Sequence, residues 1–351
     1  MVRLLIVEDS PVVRDFLVHI MSSDPEIEIV GTANDGLEAI EAVERLKPDI
    51  VTMDVNMPRL NGLDATRIIM ETNPTPIVIV SGSYDSAEVA STFRAIEAGA
   101  LTVLPRPVGM GHPEFATQAR GLVRSVKAMS EVKVVRRFAR SRKVEAPSSA
   151  TEGADRAPRN TDALIKLIAV GASTGGPIAL QSILKLLPND FGVPIAIVQH
   201  MASGFVQGFT EWLSQSCGME VRVAQSNERL LPGNVYVAPD DFHLMVAQMG
   251  QLVLSDTPPE NSLRPSVSVF FRSVSKVFGR EAVGVLLTGM GTDGANGLLA
   301  MKERGAITFA QDQASSVVHG MPGEAIRLGA AAYVLPPEEI AAALVKLVPS
   351  K

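Results

Sequence analysis

Two series of short apolar runs restrict the fold of this sequence more than any other feature. In each series, amphipathic segments of helical length separate the runs. The first series occupies residues 1–125, and its runs are Leu4–Val7, Ile27–Val30, Ile50–Met53, Ile77–Val80 and Leu101–Leu104. The second series begins near residue 163, and its runs are Leu167–Val170, Ile195–Val198, Val221–Val223, Val235–Val237, Val283–Leu287, Ile307–Ala310 and Tyr333–Leu335. Strands that alternate with helices form parallel sheets covered by helices on both faces. The sequence therefore predicts two doubly wound α/β domains.

A linker is expected between these domains, because 351 residues exceed the usual size of one hydrophobic core. Residues 143–161 are poor in large apolar residues and rich in Pro, Ser and Ala, a composition typical of linkers. We predict a first domain over residues 1–125, a linker over 126–162 and a second domain over 163–351. Within the second domain, the closely spaced segments Asn234–Val237, Phe242–Val246 and Gln251–Leu254 predict an antiparallel meander inserted in a mostly parallel sheet.

Composition excludes several classes of protein. The chain is 46% hydrophobic and 20% charged, which is typical of a folded globular protein. No apolar run reaches the roughly 18 to 20 residues that cross a bilayer, and no signal peptide precedes the first strand. We therefore expect a cytoplasmic protein without membrane insertion. Cys217 is the only cysteine, which excludes an intramolecular disulfide and a thiolate-cluster metal site.

The predicted linker contains a basic stretch, residues 133–143, with six Lys and Arg residues. Such a stretch can attract nucleic acid or an acidic protein, or it can be a solvated linker. Nucleic-acid-binding segments interleave aromatic residues with basic ones, and here Phe138 is the only aromatic residue. The linker interpretation is favoured, and we expect no nucleic-acid partner.

Polar residues follow several strands of the first domain, at Glu8, Asp9, Asp54, Ser81 and Arg106. Open parallel sheets bind ligands beyond the carboxyl ends of their strands, so these side chains are expected to lie together. Taken alone, Glu8 and Asp9 also fit a helix cap. Three clustered carboxylates repel one another unless a divalent cation neutralises them, and oxygen ligands suit Mg²⁺. The sequence predicts a Mg²⁺ site beside a carboxylate that can accept a phosphoryl group.

The motifs Ile-Val-Glu-Asp-Ser, Met-Asp-Val-Asn-Met-Pro-Arg-Leu-Asn-Gly, Val-Ser-Gly and Leu-Pro-Arg-Pro resemble those of the response-regulator receiver family, which has a flavodoxin-like fold. The resemblance covers residues 1–125 and implies that a cognate histidine kinase is the phosphodonor. The Mg²⁺ ligands that it implies are Glu8, Asp9, Asp54 and the backbone carbonyl of Asn56. It further implies that Asp54 is phosphorylated and that Ser81 and Arg106 contact the phosphoryl group. Arg106 stands where receivers usually carry lysine, so a planar fork replaces a compact ammonium.

The second domain carries a serine in a glycine-rich turn, Gly171–Gly176, that follows a strand, opens a helix and matches G-x-S-x-G. Such a turn exposes the Ser173 hydroxyl, but glycine-rich turns also bind phosphate, and the motif alone leaves both interpretations open. His200 ends the next strand at the same edge, and a phosphate loop needs no histidine. Asp293 follows a third strand, in a glycine-rich loop. His243 is a competing candidate for the histidine.

Serine, histidine and aspartate are the set that ester hydrolysis requires. His200 would take the proton of the Ser173 hydroxyl and return it to the leaving alcohol, while Asp293 orients the imidazole. The backbone N–H of Met290 is a candidate for the oxyanion hole. The order serine, histidine, aspartate along the chain differs from that of ordinary α/β-hydrolases.

Two other classes of protein are alternatives to an esterase. A nucleotide-dependent enzyme built on the glycine-rich turn predicts an acidic ribose-binding residue about 20 residues later, where this sequence has His200. A receiver with a non-catalytic output domain is supported mainly by the basic linker. The complete set of serine, histidine and aspartate favours the esterase.

Nearly the whole chain resembles the CheB family of chemotaxis methylesterases. Besides the receiver motifs, the resemblance rests on Gly-Ala-Ser-Thr-Gly-Gly, Val-Gln-His-Met, Asn-Ser-Leu-Arg-Pro-Ser-Val, Leu-Leu-Thr-Gly-Met-Gly-Thr-Asp-Gly and Ala-Gln-Asp-Gln-Ala-Ser-Ser-Val-Val-His-Gly-Met-Pro. It implies hydrolysis of glutamate γ-methyl esters on chemoreceptor helices, with release of methanol, and deamidation of receptor glutamines, without a cofactor for hydrolysis. The catalytic residues that it implies are Ser173, His200 and Asp293, supported by Thr174 and Met290. It also implies that the unphosphorylated receiver inhibits the esterase.

Overall fold

The computed structural model describes residues 1–82, 86–132, 134 and 164–348. The chain divides into two units, residues 1–143 and 144–351. The basic stretch 133–143, apart from Val134, lies outside the described residues. Among the residues that the structure describes, no helix combines the length and the apolar character needed to span a membrane.

The first unit contains one five-stranded parallel sheet in the order β2-β1-β3-β4-β5. Its strands are β1 (Val2–Val7), β2 (Ile27–Ala33), β3 (Ile50–Met53), β4 (Ile77–Ser81) and β5 (Thr102–Pro105). Its helices are α1 (Pro11–Met21), α2 (Gly36–Leu46), α3 (Gly62–Thr72), α4 (Ser86–Ala98) and α5 (Phe115–Ser130). This strand order is that of the flavodoxin-like fold, and the first expected α/β domain is confirmed.

The start of α1 shows how local sequence forms these elements. The Ser10 side chain accepts a hydrogen bond from the Val13 N–H, and Pro11 occupies the first helical turn, where its missing N–H is not needed. The cap predicted for this segment therefore lies at Ser10. Glu8 and Asp9 remain at the carboxyl end of β1.

The predicted end of the first domain, residue 125, falls inside α5. The helix continues to Ser130 because its apolar face continues, with Val126 and Met129 buried. The composition typical of linkers begins near residue 143, after this helix has ended, and the linker bounds predicted from the sequence stay a prediction. Residues 133 and 135–162 of the predicted linker lie outside the described residues.

The second unit contains a seven-stranded parallel sheet in the order β14-β13-β12-β6-β7-β9-β8 and a separate antiparallel pair, β10-β11. Its strands are β6 (Leu167–Ala172), β7 (Ile195–Gln199), β8 (Glu220–Val223), β9 (Asn234–Val237), β10 (His243–Val246), β11 (Leu252–Ser255), β12 (Ala282–Leu286), β13 (Ile307–Gln311) and β14 (Tyr333–Leu335). Its helices are α6 (Gly176–Leu184), α7 (Val206–Cys217), α8 (Val267–Phe278), α9 (Ala295–Glu303), α10 (Met321–Arg327) and α11 (Pro337–Leu347).

One detail of the predicted antiparallel insertion is wrong. Asn234–Val237 does not join the meander but forms β9, which pairs in parallel with β7 and β8. Its residues Val235, Tyr236 and Val237 are all fully buried, as expected of a strand covered on both faces. The antiparallel insertion is therefore the β10-β11 hairpin alone, whose strands are joined through Gln248–Gly250.

Candidate functional site

The central strands of the second sheet bring the predicted serine and histidine to one edge. β6 lies between β12 and β7, and the chain leaves it toward β7 but reaches β12 only later. The strand order therefore reverses at β6, which is where open α/β sheets bind ligands. Ser173 follows β6 directly, and His200 follows β7 directly.

The turn that carries Ser173 is tight and tied to its neighbours. The Ser173 N–H donates to the Thr288 carbonyl at 3.0 Å, and the Ser173 carbonyl accepts the Gly176 N–H at 2.8 Å. Gly175 has a φ of 78°, a left-handed conformation that favours glycine. These constraints hold the serine between the sheet and the start of α6.

The side chains of His200 and Asp293 lie close together. His200 Nε2 lies 3.1 Å from Asp293 Oδ2, within ion-pair distance, although the ring N–H is not aligned for a straight hydrogen bond. The side chains are 11% and 2% exposed, so the contact is almost shielded from solvent. Since Nε2 faces the carboxylate, Nδ1 is the ring nitrogen left for another partner.

The Asp293 carboxylate is also bound by the start of α8. Its Oδ1 accepts hydrogen bonds from the Ser266 hydroxyl at 2.9 Å and from the Ser268 N–H at 3.0 Å, and its Oδ2 accepts the Val267 N–H at 2.7 Å. Burial alone would raise the pKa of the Asp293 carboxyl, but His200 and the hydrogen bonds from Ser268 hold it well below its usual range. Asp293 is therefore ionised and fixed in orientation.

The loop after β12 contributes backbone groups beside the serine. The Gly289 carbonyl accepts the N–H groups of Gly320 and Met321 at 3.1 and 2.9 Å. In a trans peptide the N–H points opposite to the carbonyl, so the Met290 N–H points away from these groups, and it finds no acceptor among the described residues. A side chain at position 289 would come within 2.7 Å of the Ser173 Cβ, so this backbone passes directly against the serine.

In His243, the competing histidine, both ring nitrogens have hydrogen-bond partners. It is buried, its Nδ1 accepts the Ser266 N–H at 3.2 Å, and its Nε2 lies 3.2 Å from the Pro258 carbonyl. Because Nδ1 accepts, Nε2 must carry the proton and donate it. Neither nitrogen is left to accept a proton from a serine.

The first unit forms the predicted acidic pocket. One ligand oxygen from each of Glu8, Asp9 and Asp54 lies within 4.8 Å of the other two. Burial, followed by the neighbouring Asp54 carboxylate, raises the pKa of Glu8 to about 7. Burial also raises the pKa of Asp54 to about 6, and Asp9 adds to this increase. The clustered oxygens are the donor set that Mg²⁺ prefers, and their repulsion is what a cation would relieve.

Ser81 and Arg106 lie at the carboxyl ends of β4 and β5, at the same sheet edge as the acidic pocket. Ser81 ends β4 and is buried, and its carbonyl accepts the Arg106 N–H at 2.8 Å. The guanidinium covers Gly82 so closely that a side chain at position 82 would overlap with it. Its charge lowers the pKa of Glu8 and of Asp54, although burial has the larger effect in the opposite direction.

Comparison with known proteins agrees with both halves of this description. The family model described as CheB methylesterase matches residues 168–344, and the response regulator receiver domain matches residues 4–112. The chain is 57% identical over 349 residues to a protein-glutamate methylesterase/protein-glutamine glutaminase of Nitrosospira multiformis, covering 99% of this chain and 97% of that one. It is 56% identical to a similarly named protein of Geobacter metallireducens, over the full length of both chains.

The chain belongs to the CheB methylesterase family. As a member of the CheB methylesterase family it is a hydrolase, and it carries a response-regulator receiver domain. The crystal structure of the Thermotoga maritima CheB methylesterase catalytic domain is similar to 52% of this chain and 99% of that one, with a TM-score of 0.51 and 38% identity. The family resemblance and the α/β fold class predicted from the sequence are confirmed.

Two residues around the CheB-family site were not singled out from the sequence. Thr288 ties three loops together, because its hydroxyl donates to the Thr174 carbonyl at 2.9 Å and accepts the Val318 N–H at 3.0 Å. Ser266 links His243 to Asp293. Both lie within motifs that carried the family resemblance, but their roles depend on partners distant along the chain.

Proposed function

We propose that this chain is a phosphorylation-regulated protein-glutamate methylesterase that hydrolyses glutamate γ-methyl esters on chemoreceptors and deamidates receptor glutamines. The observation that carries the proposal is the approach of His200 Nε2 to within 3.1 Å of Asp293 Oδ2, at the sheet edge where Ser173 follows the neighbouring strand. We further propose that the substrates are methylated cytoplasmic helices of chemoreceptors and that the protein acts in the cytoplasm. The names of its relatives support the substrate class.

In the proposed mechanism, Ser173 attacks the ester carbonyl while His200 accepts its proton at Nδ1. The protonated imidazole is stabilised by the ionised Asp293 carboxylate. As the bond between the acyl carbon and its leaving group breaks, the imidazole gives its proton to the ester oxygen and methanol leaves, or to the amide nitrogen of a glutamine and ammonia leaves. Water attacks the acyl-enzyme, again with His200 as the base, and releases glutamate.

The oxyanion that forms during these steps needs backbone donors. The N–H of Met290 and the N–H of Thr174 both lack an acceptor among the described residues. The residue after the nucleophile commonly supplies such a donor at a strand-to-helix turn. We propose these two N–H groups as the oxyanion hole.

The test of this proposal is product release from a methylated receptor fragment. The protein should release methanol from methyl-ester substrate and ammonia from a fragment that carries glutamine at the same positions. Free nucleotide or inorganic phosphate should not be needed for either reaction. Absence of both products would contradict the proposal and would favour the interpretation of the glycine-rich turn as a phosphate-binding site.

The two histidines give the first prediction. His200→Ala should lower kcat by roughly 10⁴-fold, because it removes the proposed base. His243→Ala should leave kcat within about tenfold but destabilise the second unit by about 1 to 3 kcal/mol, because it leaves the buried Ser266 N–H and Pro258 carbonyl unpaired. Methanol release and urea unfolding measure the two effects. The reverse ranking of the two kcat values would show that His243 is the base.

Regulation gives the second prediction. Glu8, Asp9, Asp54 and the Asn56 carbonyl would hold Mg²⁺, which neutralises the charge of an incoming phosphoryl group. We expect Mg²⁺ and a small phosphodonor such as acetyl phosphate to raise the initial rate of methanol release. Asp54→Asn should abolish the response, because it removes the proposed acceptor, and should leave the basal rate unchanged.

The outcome of that experiment also tests Arg106. A wild-type protein that is phosphorylated on Asp54 without any change in rate would contradict the regulatory proposal for the native sequence. If Arg106→Lys then restored the response, the planar guanidinium would be the cause, since it differs from an ammonium in shape and not in charge. Phosphorylation itself is measured by intact-protein mass.

A further inference from the structure

Gln199 is a buried polar residue that the proposed mechanism does not use. It is the last residue of β7, directly before His200, and is only 4% exposed. Its side-chain Nε2 donates hydrogen bonds to the Ser173 carbonyl and to the His200 carbonyl, both at 2.8 Å. One amide group therefore joins the backbone of the proposed nucleophile to the backbone of the proposed base.

The other end of the same amide is unsatisfied. Gln199 Oε1 is buried and has no hydrogen-bond partner among the described residues. Because both groups that Nε2 contacts are carbonyls, only the NH₂ of the amide can face them, and Oε1 must face the other way. There it lies against Gly176, where any side chain would overlap with it. The packing of the end of β7 against the start of α6 thus depends on glutamine at position 199 and glycine at position 176.

This arrangement is a poor choice for stability alone. A buried carbonyl without a partner is costly, and a methionine of similar length would fill the space without that cost. Only the amide can donate two hydrogen bonds, one to the Ser173 carbonyl and one to the His200 carbonyl. These two bonds set the distance between the end of β6 and the end of β7. The Ser173 carbonyl also accepts the Gly176 N–H, so its two acceptor positions are both filled and the turn cannot rotate freely.

We propose that Gln199 is a positioning residue that holds the Ser173 hydroxyl in line with the His200 ring. The inference rests on the proposed function of Ser173 and His200 and extends it to a residue that touches neither the substrate nor the transferred proton. Small displacements of a nucleophile from its base have large effects on rate, whereas substrate binding depends on other groups. The role therefore predicts a loss in kcat and little change in KM.

Gln199→Met is the main test. It should lower kcat for methanol release by roughly 10- to 100-fold and leave KM within about twofold, by analogy with the effects of misplaced catalytic groups. The rate of Ser173 labelling by phenylmethanesulfonyl fluoride should fall by the same factor as kcat, because labelling needs the activated serine but not the receptor. The unfolding midpoint, followed by the fluorescence of the single tryptophan, Trp212, should stay close to that of the wild type, because removal of the unpaired buried Oε1 offsets the loss of two hydrogen bonds. If Gln199→Met does not fold, Gln199→Leu should show the same loss of kcat with little change in KM.

Gln181→Met is the matched control, since Gln181 is also a buried glutamine of this unit but lies within α6. It should keep the wild-type labelling rate. A wild-type kcat in Gln199→Met, or a loss of kcat matched by an equal loss of folded protein, would overturn the positioning role. Absence of both products from the wild type would instead contradict the proposed function, and retained activity in Ser173→Ala would rule out Ser173 as the nucleophile, so these failures are distinguishable from a failure of the positioning role.

Discussion

Ser173→Ala is expected to reduce methyl-ester hydrolysis and glutamine deamidation by roughly 10⁴-fold or more, because it removes the proposed nucleophile of both reactions. The fold should be unaffected. The hydrogen bonds that hold the turn use the backbone N–H and carbonyl of Ser173, and alanine keeps both. Methanol and ammonia release measure the activities, and circular dichroism with urea unfolding measures the fold.

Ser214→Ala is the matched control, because it also removes a serine hydroxyl from the second unit but does so in α7. Its hydroxyl donates to the Met219 carbonyl near the end of α7, so the variant loses a hydrogen bond and should keep its activity. Phenylmethanesulfonyl fluoride should label Ser173 in the wild type and in Ser214→Ala, and it should not label this turn in Ser173→Ala. A Ser173→Ala variant with activity near that of the wild type would rule out Ser173 as the nucleophile.

The carboxyl ends of the strands could be predicted from the sequence because apolar runs mark the strands, and parallel strands end at a common edge. That rule was sufficient to expect Ser173, His200 and Asp293 near one another, and Glu8, Asp9 and Asp54 in a second cluster. It did not depend on knowing the strand order. The same rule could not show how the residues contact one another, because each contact joins segments far apart in the sequence.

The errors have related causes. Asn234–Val237 was expected to pair with the next segment along the chain, but β9 lies between β7 and β8, and local pattern does not determine strand neighbours. The sequence favours His200 over His243 as the base because His200 ends a strand beside the Ser173 turn, but it could not show a structural distinction between the two histidines. The distinction depends on the Ser266 N–H and the Pro258 carbonyl, which occupy both nitrogens of His243.

Asp293 combines a proposed catalytic role with a structural one, and its Oδ2 serves both. The carboxylate caps the start of α8 through the N–H groups of Val267 and Ser268, and it also faces His200. A helix N-terminus stabilises negative charge, so the start of α8 adds to the effect of His200 in keeping the carboxylate ionised. The same helix therefore fixes both the position and the charge of the group that orients the proposed base.

Asp293→Asn should lower kcat by roughly 10⁴-fold, because an amide cannot reproduce this double role. If the amide oxygen replaces Oδ1, its NH₂ faces His200 Nε2 and donates to it. The ring proton is then forced onto Nδ1, the nitrogen that must accept the Ser173 proton. Methanol release measures the loss. Activity within tenfold of the wild type would show that the carboxylate does not orient His200.

The same variant should also change the pH dependence of stability. The pKa of Asp293 is lower in the folded protein than its ordinary value near 4, so the unfolded chain binds more protons below about pH 4. The stability that the carboxylate contributes is therefore fully present above that pH and is lost as the pH falls. Asp293→Asn lacks this contribution at every pH. The difference in unfolding free energy between the wild type and Asp293→Asn should thus narrow as the pH is lowered from 5 toward 3.

Urea unfolding followed by Trp212 fluorescence measures that difference in the second unit, because Trp212 lies in α7 and is the only tryptophan. Asp35→Asn is the matched control, since Asp35 is a buried carboxylate that caps α2 in the first unit and has a lowered pKa, but contacts Arg59 and no histidine. It should leave both the Trp212 transition and the rate of methanol release near their wild-type values. If the difference in unfolding free energy between the wild type and Asp293→Asn stays constant from pH 5 to 3, the ionised carboxylate does not stabilise the start of α8. A narrowing gap beside an unchanged kcat would leave Asp293 as a helix cap alone.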